Sequence, residues 1–186
     1  MYKDAFNGDD ILFARFSELV KQFGVKSIVE TGTFEGKTTD ALASLVPVVH
    51  TIEINATYQS TAKKNCKNKN IVFHSGSSMD VLPGIIKSLD SPMFFLDAHW
   101  HQYCPLWDEL QIIANAGLKP VIVVHDFKVP GIPALGFDRW NNKDICHDTV
   151  KEKVDAIYGV GGYIHETNTV AHGASRGAGI YLPKEK

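Results

Sequence analysis

Strand and helix patterns alternate along almost the whole chain, and this alternation constrains the fold more than any other feature of the sequence. Short apolar runs are separated by stretches in which apolar residues recur at helical spacing. The predicted strands cover 27–30, 48–54, 71–74, 93–97, 121–124, 162–167 and 178–182, and the predicted helices cover 1–24, 37–45, 56–68, 78–89, 106–116 and 148–158. Repeated alternation of this kind favours a mostly parallel sheet with helices on both faces.

Length, charge and cysteine content exclude several other classes of protein. The 186 residues suit a single domain, 1–186, and the net charge of −2 comes without a basic block that would indicate nucleic-acid binding. Only three cysteines are present, at Cys66, Cys104 and Cys146, which argues against a disulfide framework and favours a reducing compartment. The polar N-terminus does not resemble a signal peptide, and no apolar run is long enough to span a bilayer. We therefore expect a cytoplasmic protein that binds neither nucleic acid nor membranes.

Acidic residues stand at the ends of four predicted strands, namely Glu30, Glu53, Asp97 and Asp126. In open α/β sheets, ligands bind outside the carboxyl ends of the strands. Burying ionised carboxylates is costly unless they are paired or bound to a ligand. The sequence therefore predicts a ligand site at this edge of the sheet.

The loop after the first strand, ETGTFEGKTT, resembles a phosphate-binding loop only in part. A P-loop needs four residues between its two glycines, whereas three separate Gly32 from Gly36. A dinucleotide-binding loop would need a further glycine between these two. A third pattern fits better, with an acid before the glycines and a second acid, Glu53, at the end of the next strand, where it can accept the hydroxyl protons of a ribose. A nucleotide hydrolase that uses Lys37 in the loop 32–38 stays open as the alternative.

On these residues the chain resembles the class I S-adenosylmethionine (SAM)-dependent methyltransferases, with ETGTFEG as the first motif and Glu53 as the ribose-binding acid. The resemblance covers nearly the whole chain. It implies a three-layer Rossmann-like sandwich with a seven-stranded, mostly parallel sheet and a reversed last strand. It implies contacts with the methionine and adenine portions of SAM. The implied cofactor-binding residues are Glu30, Gly32, Thr33, Gly36, Glu53, Gly76, Ser77, Ser78 and Asp97.

A second group of polar residues follows the fourth and fifth strands, in the stretches DAHWHQY and HDF. We expect Asp97, His99 and Asp126 to converge and to be the catalytic residues. They could hold Mg²⁺ or Mn²⁺ as metal ligands, or His99 or His101 could act directly as a general base. The stretches resemble a subgroup of sugar and antibiotic O-methyltransferases, several of which are metal-dependent. His125 is interpreted as a core histidine that is hydrogen-bonded to the backbone.

The expected activity is methylation of a hydroxyl group on a sugar or another small molecule, with or without a divalent metal. A non-catalytic SAM-binding module is the other alternative, and assembly into a homo-oligomer is left open. The loop 127–147 is rich in proline and glycine and is placed where it could cover the acceptor pocket. The stretch 172–176 could also contact the substrate, but a hairpin connection is the favoured interpretation.

Overall fold

The computed structural model describes residues 2–99 and 103–184. The helices are α1 (Asp10–Gln22), α2 (Lys37–Ala43), α3 (Ala56–Asn65), α4 (Ser78–Ile85), α5 (Leu106–Asn115) and α6 (His147–Tyr158). The strands are β1 (Ser27–Thr31), β2 (Val48–Glu53), β3 (Ile71–Ser75), β4 (Pro92–Leu96), β5 (Val121–His125), β6 (Arg139–Trp140), β7 (Lys143–Asp144), β8 (Tyr163–Thr167) and β9 (Ala178–Pro183). Two short 3₁₀ turns cover Ala5–Gly8 and Ile86–Ser88.

Seven of these strands form one sheet in the order β3-β2-β1-β4-β5-β9-β8. The pairs among β1 to β5 are parallel, whereas β9 runs antiparallel to both of its neighbours, β5 and β8. The predicted Rossmann-like sandwich with a reversed last strand is thus confirmed. The strand order changes direction between β1 and β4, which is the topological switch point where such sheets bind ligands.

The sheet is covered on both faces, so its central strands are apolar on both sides. On one face, α1 and α2 pack on side chains such as Ile28 and Phe95. On the other face, α4, α5 and α6 pack on side chains such as Phe94 and Val124. The two helical layers fix the strand ends, and with them the loops at the carboxyl edge.

Several boundaries differ from the predicted ones. The N-terminal helix predicted over 1–24 covers only Asp10–Gln22, because Oδ1 of Asp9 accepts the N–H groups of Ile11 and Leu12 and so caps the start of the helix. The helix predicted over 56–68 ends at Asn65, because Oδ1 of Asp40 accepts the backbone N–H groups of Lys67 and Asn68 at 2.8 and 2.9 Å. The loop predicted over 127–147 contains the small antiparallel pair β6–β7, whose turn residues have positive φ angles.

The helices of the described ranges are all too short or too polar to cross a membrane. The three cysteines form no disulfide with one another.

Candidate active site

One cavity of about 620 Å³ opens at the carboxyl ends of the parallel strands. Nine of the eleven residues predicted for the site line it: Gly32, Thr33, Glu53, Gly76, Ser77, Ser78, Asp97, His99 and Asp126. Its volume lies in the range of small-molecule pockets. The fold therefore gathers the predicted donor and acceptor residues around a single space.

The two loop glycines meet different neighbours. Gly32 has φ +88°, and a Cβ atom there would lie 3.0 Å from the carbonyl oxygen of Asp97 and 3.1 Å from the Cα of Ala98. Gly36 has φ +80°, and its Cβ would lie 2.8 Å from Sγ of Cys66 on the end of α3. Gly32 thus allows the loop to approach the end of β4, while Gly36 allows α2 to approach α3 and lies behind the cavity.

Glu30 also lies behind the cavity wall, where only 1% of its surface is exposed. Its Oε2 accepts the hydroxyl groups of Thr39 and Thr51 at 2.5 and 2.6 Å, and its Oε1 has no hydrogen-bond partner within the described ranges. Burial raises the pKa of this carboxyl to about 8. The geometry gives Glu30 a role in holding α2 against β1 and β2. The predicted contacts of Glu30 and Gly36 with a cofactor stay predictions.

Glu53 is held by the backbone on both sides of the cavity rim. Its Oε2 accepts the N–H of Phe34 at 2.9 Å, and its Oε1 accepts the N–H of Asn55 at 2.8 Å. Each carboxylate oxygen has a second lone pair, so both can still accept a ligand hydroxyl. The carboxylate is thereby fixed in place before any ligand binds.

Exposed apolar side chains stand next to Glu53, and the sequence reasoning missed them. Ile54 is 56% exposed, and Phe34 packs edge-on against Tyr58 with ring centroids 4.6 Å apart. All three line the cavity. Ile54, an apolar residue directly after Glu53 at the end of β2, was the sequence signal that could have indicated this apolar wall.

The part of the cavity rim formed by Asp97, His99 and Asp126, which follow β4 and β5, is called the acceptor rim, because these are the residues predicted to act on the methyl acceptor. Nδ1 of His125 lies 2.9 Å from Oδ1 of Asp97 and 3.4 Å from Oδ1 of Asp126. Nε2 of His99 lies 3.9 Å from Oδ2 of Asp126, and the His99 side chain is 51% exposed to the cavity. Asp97, His99 and Asp126 converge, as the sequence predicts.

His125 has a different role from the predicted one. Its buried imidazole is paired with two carboxylates rather than with the backbone. Burial by itself lowers the pKa of His125, but the negative charge and hydrogen bonds of Asp97 and Asp126 outweigh burial and raise the pKa to about 10. The two carboxylates therefore favour the protonated form of the His125 imidazole.

Arg176 also takes part in the rim, although a hairpin connection was the favoured interpretation of the stretch 172–176. Its Nε donates to Oδ1 of Asp126, and its Nη2 donates to Oδ1 of Asp138. Burial raises the pKa of Asp126, but hydrogen bonds from His125 and Arg176 outweigh burial and hold that pKa well below its usual range. Since 50 residues separate Asp126 from Arg176, no local pattern indicates this pair.

The predicted metal ligands do not form a free metal-binding set. Within the described ranges, the donor atoms that lie close together form two groups, Asp97–His125–Asp126 and His99–Asp126–Asp138. Neither group contains all of Asp97, His99 and Asp126. In both groups the carboxylates are already paired with His125 or Arg176. The predicted divalent metal at these residues therefore stays a prediction.

The surroundings of the cavity differ in two further respects from the expectation. The turn before α1 contributes Asp4, Asn7 and Gly8 to the lining of the cavity. The loop 127–147 contributes no residue to this lining, but its residues Asp138 and Ile145 line a small second cavity, which His99 also lines. The predicted covering role of the loop 127–147 therefore stays a prediction. His101, the other candidate base, lies outside the described residues.

Comparison with known proteins places this fold among methyltransferases. No protein-family model matches the chain, and no curated protein matches it in sequence. The O-methyltransferase TomG from Streptomyces achromogenes, involved in tomaymycin synthesis and determined in complex with SAM, is 18% identical over 94% of this chain and 80% of that chain, with a TM-score of 0.63. An O-methyltransferase from Bacillus cereus in complex with SAH is 18% identical over 94% and 81%, with a TM-score of 0.65.

A third similar structure carries another activity in its name. Precorrin 8w decarboxylase from Methanobacterium thermoautotrophicum is 18% identical over 94% of this chain and 90% of that chain, with a TM-score of 0.57. Identities at this level show the fold alone, and one fold can support different reactions. The chain has the fold of class I O-methyltransferases.

Proposed function

We propose that the protein is a SAM-dependent methyltransferase that methylates a hydroxyl group of a sugar or another small molecule. The observation that carries this proposal is the single cavity in which Glu53 and the Gly32 loop adjoin His99 and Asp126. The shared fold with O-methyltransferases determined with SAM or SAH agrees with it.

The donor half of the cavity suits a ligand with a ribose and a positive charge. Glu53 offers two fixed oxygen atoms to a pair of vicinal hydroxyls, and its neighbour Ile54 offers an apolar surface to a flat base. Ser77 and Ser78 lie at the same end of the cavity wall, after β3. The acidic groups Asp4, Glu53 and Asp97 in the lining favour a cationic ligand over a phosphate-bearing one.

The acceptor half of the cavity suits removal of a proton. When bound, SAM supplies a methyl group from its sulfonium centre. His99 accepts the hydroxyl proton as the acceptor oxygen gains the methyl group, and the protein must hold the two reactants in line. Asp126, 3.9 Å from Nε2 of His99, stabilises the imidazolium that forms. No step of this scheme passes through a metal, because Asp97 and Asp126 already have partners from the chain itself.

Two other functions make different demands on the same cavity. A nucleotide hydrolase would use Lys37 for phosphates, and the carboxylate of Glu35, with Oε2 3.3 Å from Nζ of Lys37, would place a repelling negative charge beside them. A non-catalytic SAM-binding module would need the donor half alone. The paired His99 and Asp126 at the other end favour catalysis over binding only.

Incubation of small-metabolite extracts with methyl-labelled SAM tests the proposal. We expect label to pass to an extractable small molecule with the wild-type protein, and His99→Gln to lower that transfer strongly while SAM still binds. Binding of SAM without any transfer would support the binding module. A cytoplasmic location, a small-molecule acceptor rather than nucleic acid or a membrane, and homo-oligomer formation are further parts of the proposal that separate assays must address.

A further inference from the structure

The guanidinium group of Arg176 lies between two carboxylates of the acceptor rim. It donates from Nε to Asp126 and from Nη2 to Asp138. Asp126 directly follows β5, and Asp138 belongs to the next loop. A planar guanidinium is suited to bridging two carboxylates because its donors point in fixed directions.

The backbone around Arg176 holds the guanidinium in this position. A Cβ atom on Gly136 would lie 2.9 Å from Nη1 of Arg176, so glycine at this position lets the guanidinium lie close against the loop backbone. Gly136 donates its N–H to Ser175 at 2.8 Å and accepts the N–H of Gly177 at 2.9 Å. The chain on both sides of Arg176 is thus hydrogen-bonded to the loop that supplies Asp138.

A second hydrogen bond fixes the two carboxylates relative to each other. The backbone N–H of Asp138 donates to the carbonyl oxygen of Asp126 at 2.9 Å. Asp126 has φ +54°, a left-handed conformation that is uncommon outside glycine and concentrates at functional sites. Backbone hydrogen bonds on several sides therefore hold Asp126, Asp138 and Arg176 in this arrangement.

We propose that Arg176 takes the place of a divalent cation at Asp126 and Asp138, so that the acceptor rim works with a cation built into the chain. His125 is the corresponding partner of Asp97. Each of the three carboxylates Asp97, Asp126 and Asp138 is thus contacted by Arg176 or His125 from the chain itself.

Arg176 acts in this scheme as a positioning residue. Because it engages Oδ1 of Asp126, it leaves Oδ2 directed towards His99 at 3.9 Å. This catalytic consequence rests on the proposed methyl transfer, whereas the occupation of the carboxylates by Arg176 does not.

Binding of Mn²⁺ to the purified chain, followed by the loss of the free-ion electron paramagnetic resonance signal, tests the proposal without a substrate. We expect no binding at the rim in the wild-type protein. Arg176→Gln removes the guanidinium from Asp126 and Asp138 and should allow Mn²⁺ to bind there, with an affinity roughly tenfold or more above the detection limit that bounds the wild-type protein. Arg139→Gln is the matched control and should leave Mn²⁺ binding unchanged, because Arg139 pairs with Asp144 of β7, which belongs to neither group of candidate metal ligands.

The same measurement can overturn the proposal. Stoichiometric Mn²⁺ binding by the wild-type protein that Asp126→Asn abolishes would show that Arg176 does not replace the ion. Unchanged affinity in a folded Arg176→Gln would do so as well. If Arg176→Gln does not fold, Arg176→Lys retains the charge and is expected to bind no Mn²⁺, and Mn²⁺ binding by that variant at the rim would contradict the proposal.

A turnover assay then separates this proposal from the proposed function. If labelled methyl transfer occurs, a chelator should leave the wild-type rate unchanged, and Arg176→Gln should lower kcat while the affinity for SAM stays the same. Transfer that a chelator abolishes and Mn²⁺ restores would refute the built-in cation but not the methyltransferase. Absence of transfer would bear on the proposed function alone.

Discussion

Replacing Gly32 by alanine should damage the protein at the junction between the glycine loop and the end of β4. The added Cβ would lie 3.0 Å from a backbone oxygen of Asp97 and 3.1–3.2 Å from backbone atoms of Ala98, none of which can rotate away. A positive φ costs a non-glycine residue about 1–2 kcal/mol, and overpacking against fixed atoms costs about 1–3 kcal/mol more. We therefore expect Gly32→Ala to lower the free energy of unfolding by about 2–5 kcal/mol.

Gly24 provides the matched control, because it also has a positive φ, +60°, but a Cβ atom there would meet nothing within 4 Å. Gly24→Ala should therefore cost only the conformational part, about 1–2 kcal/mol. Urea unfolding of both variants measures the difference, and calorimetry with SAM measures whether the loop still binds the donor. Equal losses of stability in the two variants, together with unchanged SAM affinity for Gly32→Ala, would refute this explanation of the glycine.

Three further predictions concern carboxylates and the proposed base. Glu53→Gln should weaken SAM binding by roughly tenfold or more, since hydrogen bonds to a charged group contribute about 1.5–3 kcal/mol, while Glu35→Gln on the same rim should change the calorimetric affinity little. Burial raises the pKa of Glu30 to about 8, so its contribution to stability is fully present below its ordinary pKa and is lost as the pH rises through 8. Glu30→Gln stays neutral and should therefore gain about 2–4 kcal/mol over wild type between pH 5 and pH 8 in urea unfolding. A pH-independent difference would show that Glu30 does not hold its proton. His99→Gln should lower methyl transfer roughly a hundredfold with SAM affinity retained, and near-normal turnover would remove His99 from the mechanism.

The sequence predicted the fold and the positions of the rim residues well, because both depend on local patterns. The apolar run at 121–124 identified β5, and the order of strands and helices then placed Asp97 and Asp126 at one edge. The partners of these residues could not be predicted in the same way. Arg176 reaches Asp126 across 50 residues.

Packing between distant elements explains why Gly36 and Glu30 lie outside the cavity lining that the sequence predicted for them. The reason for glycine at Gly36 lies in α3, where Cys66 occupies the space that a Cβ would need. Similarly, the buried carboxyl of Glu30 accepts hydrogen bonds from threonines of two other elements, Thr39 of α2 and Thr51 of β2. Such contacts become visible only when the elements are packed together.

Isothermal titration of the protein with SAH, alongside ATP with Mg²⁺, tests the central claim most directly. The account predicts that SAH binds at one site per chain, that Glu53→Gln weakens this binding, and that ATP with Mg²⁺ does not compete. Binding of ATP with Mg²⁺ in the absence of any binding of SAH would contradict the account and would favour a nucleotide hydrolase built on the loop 32–38.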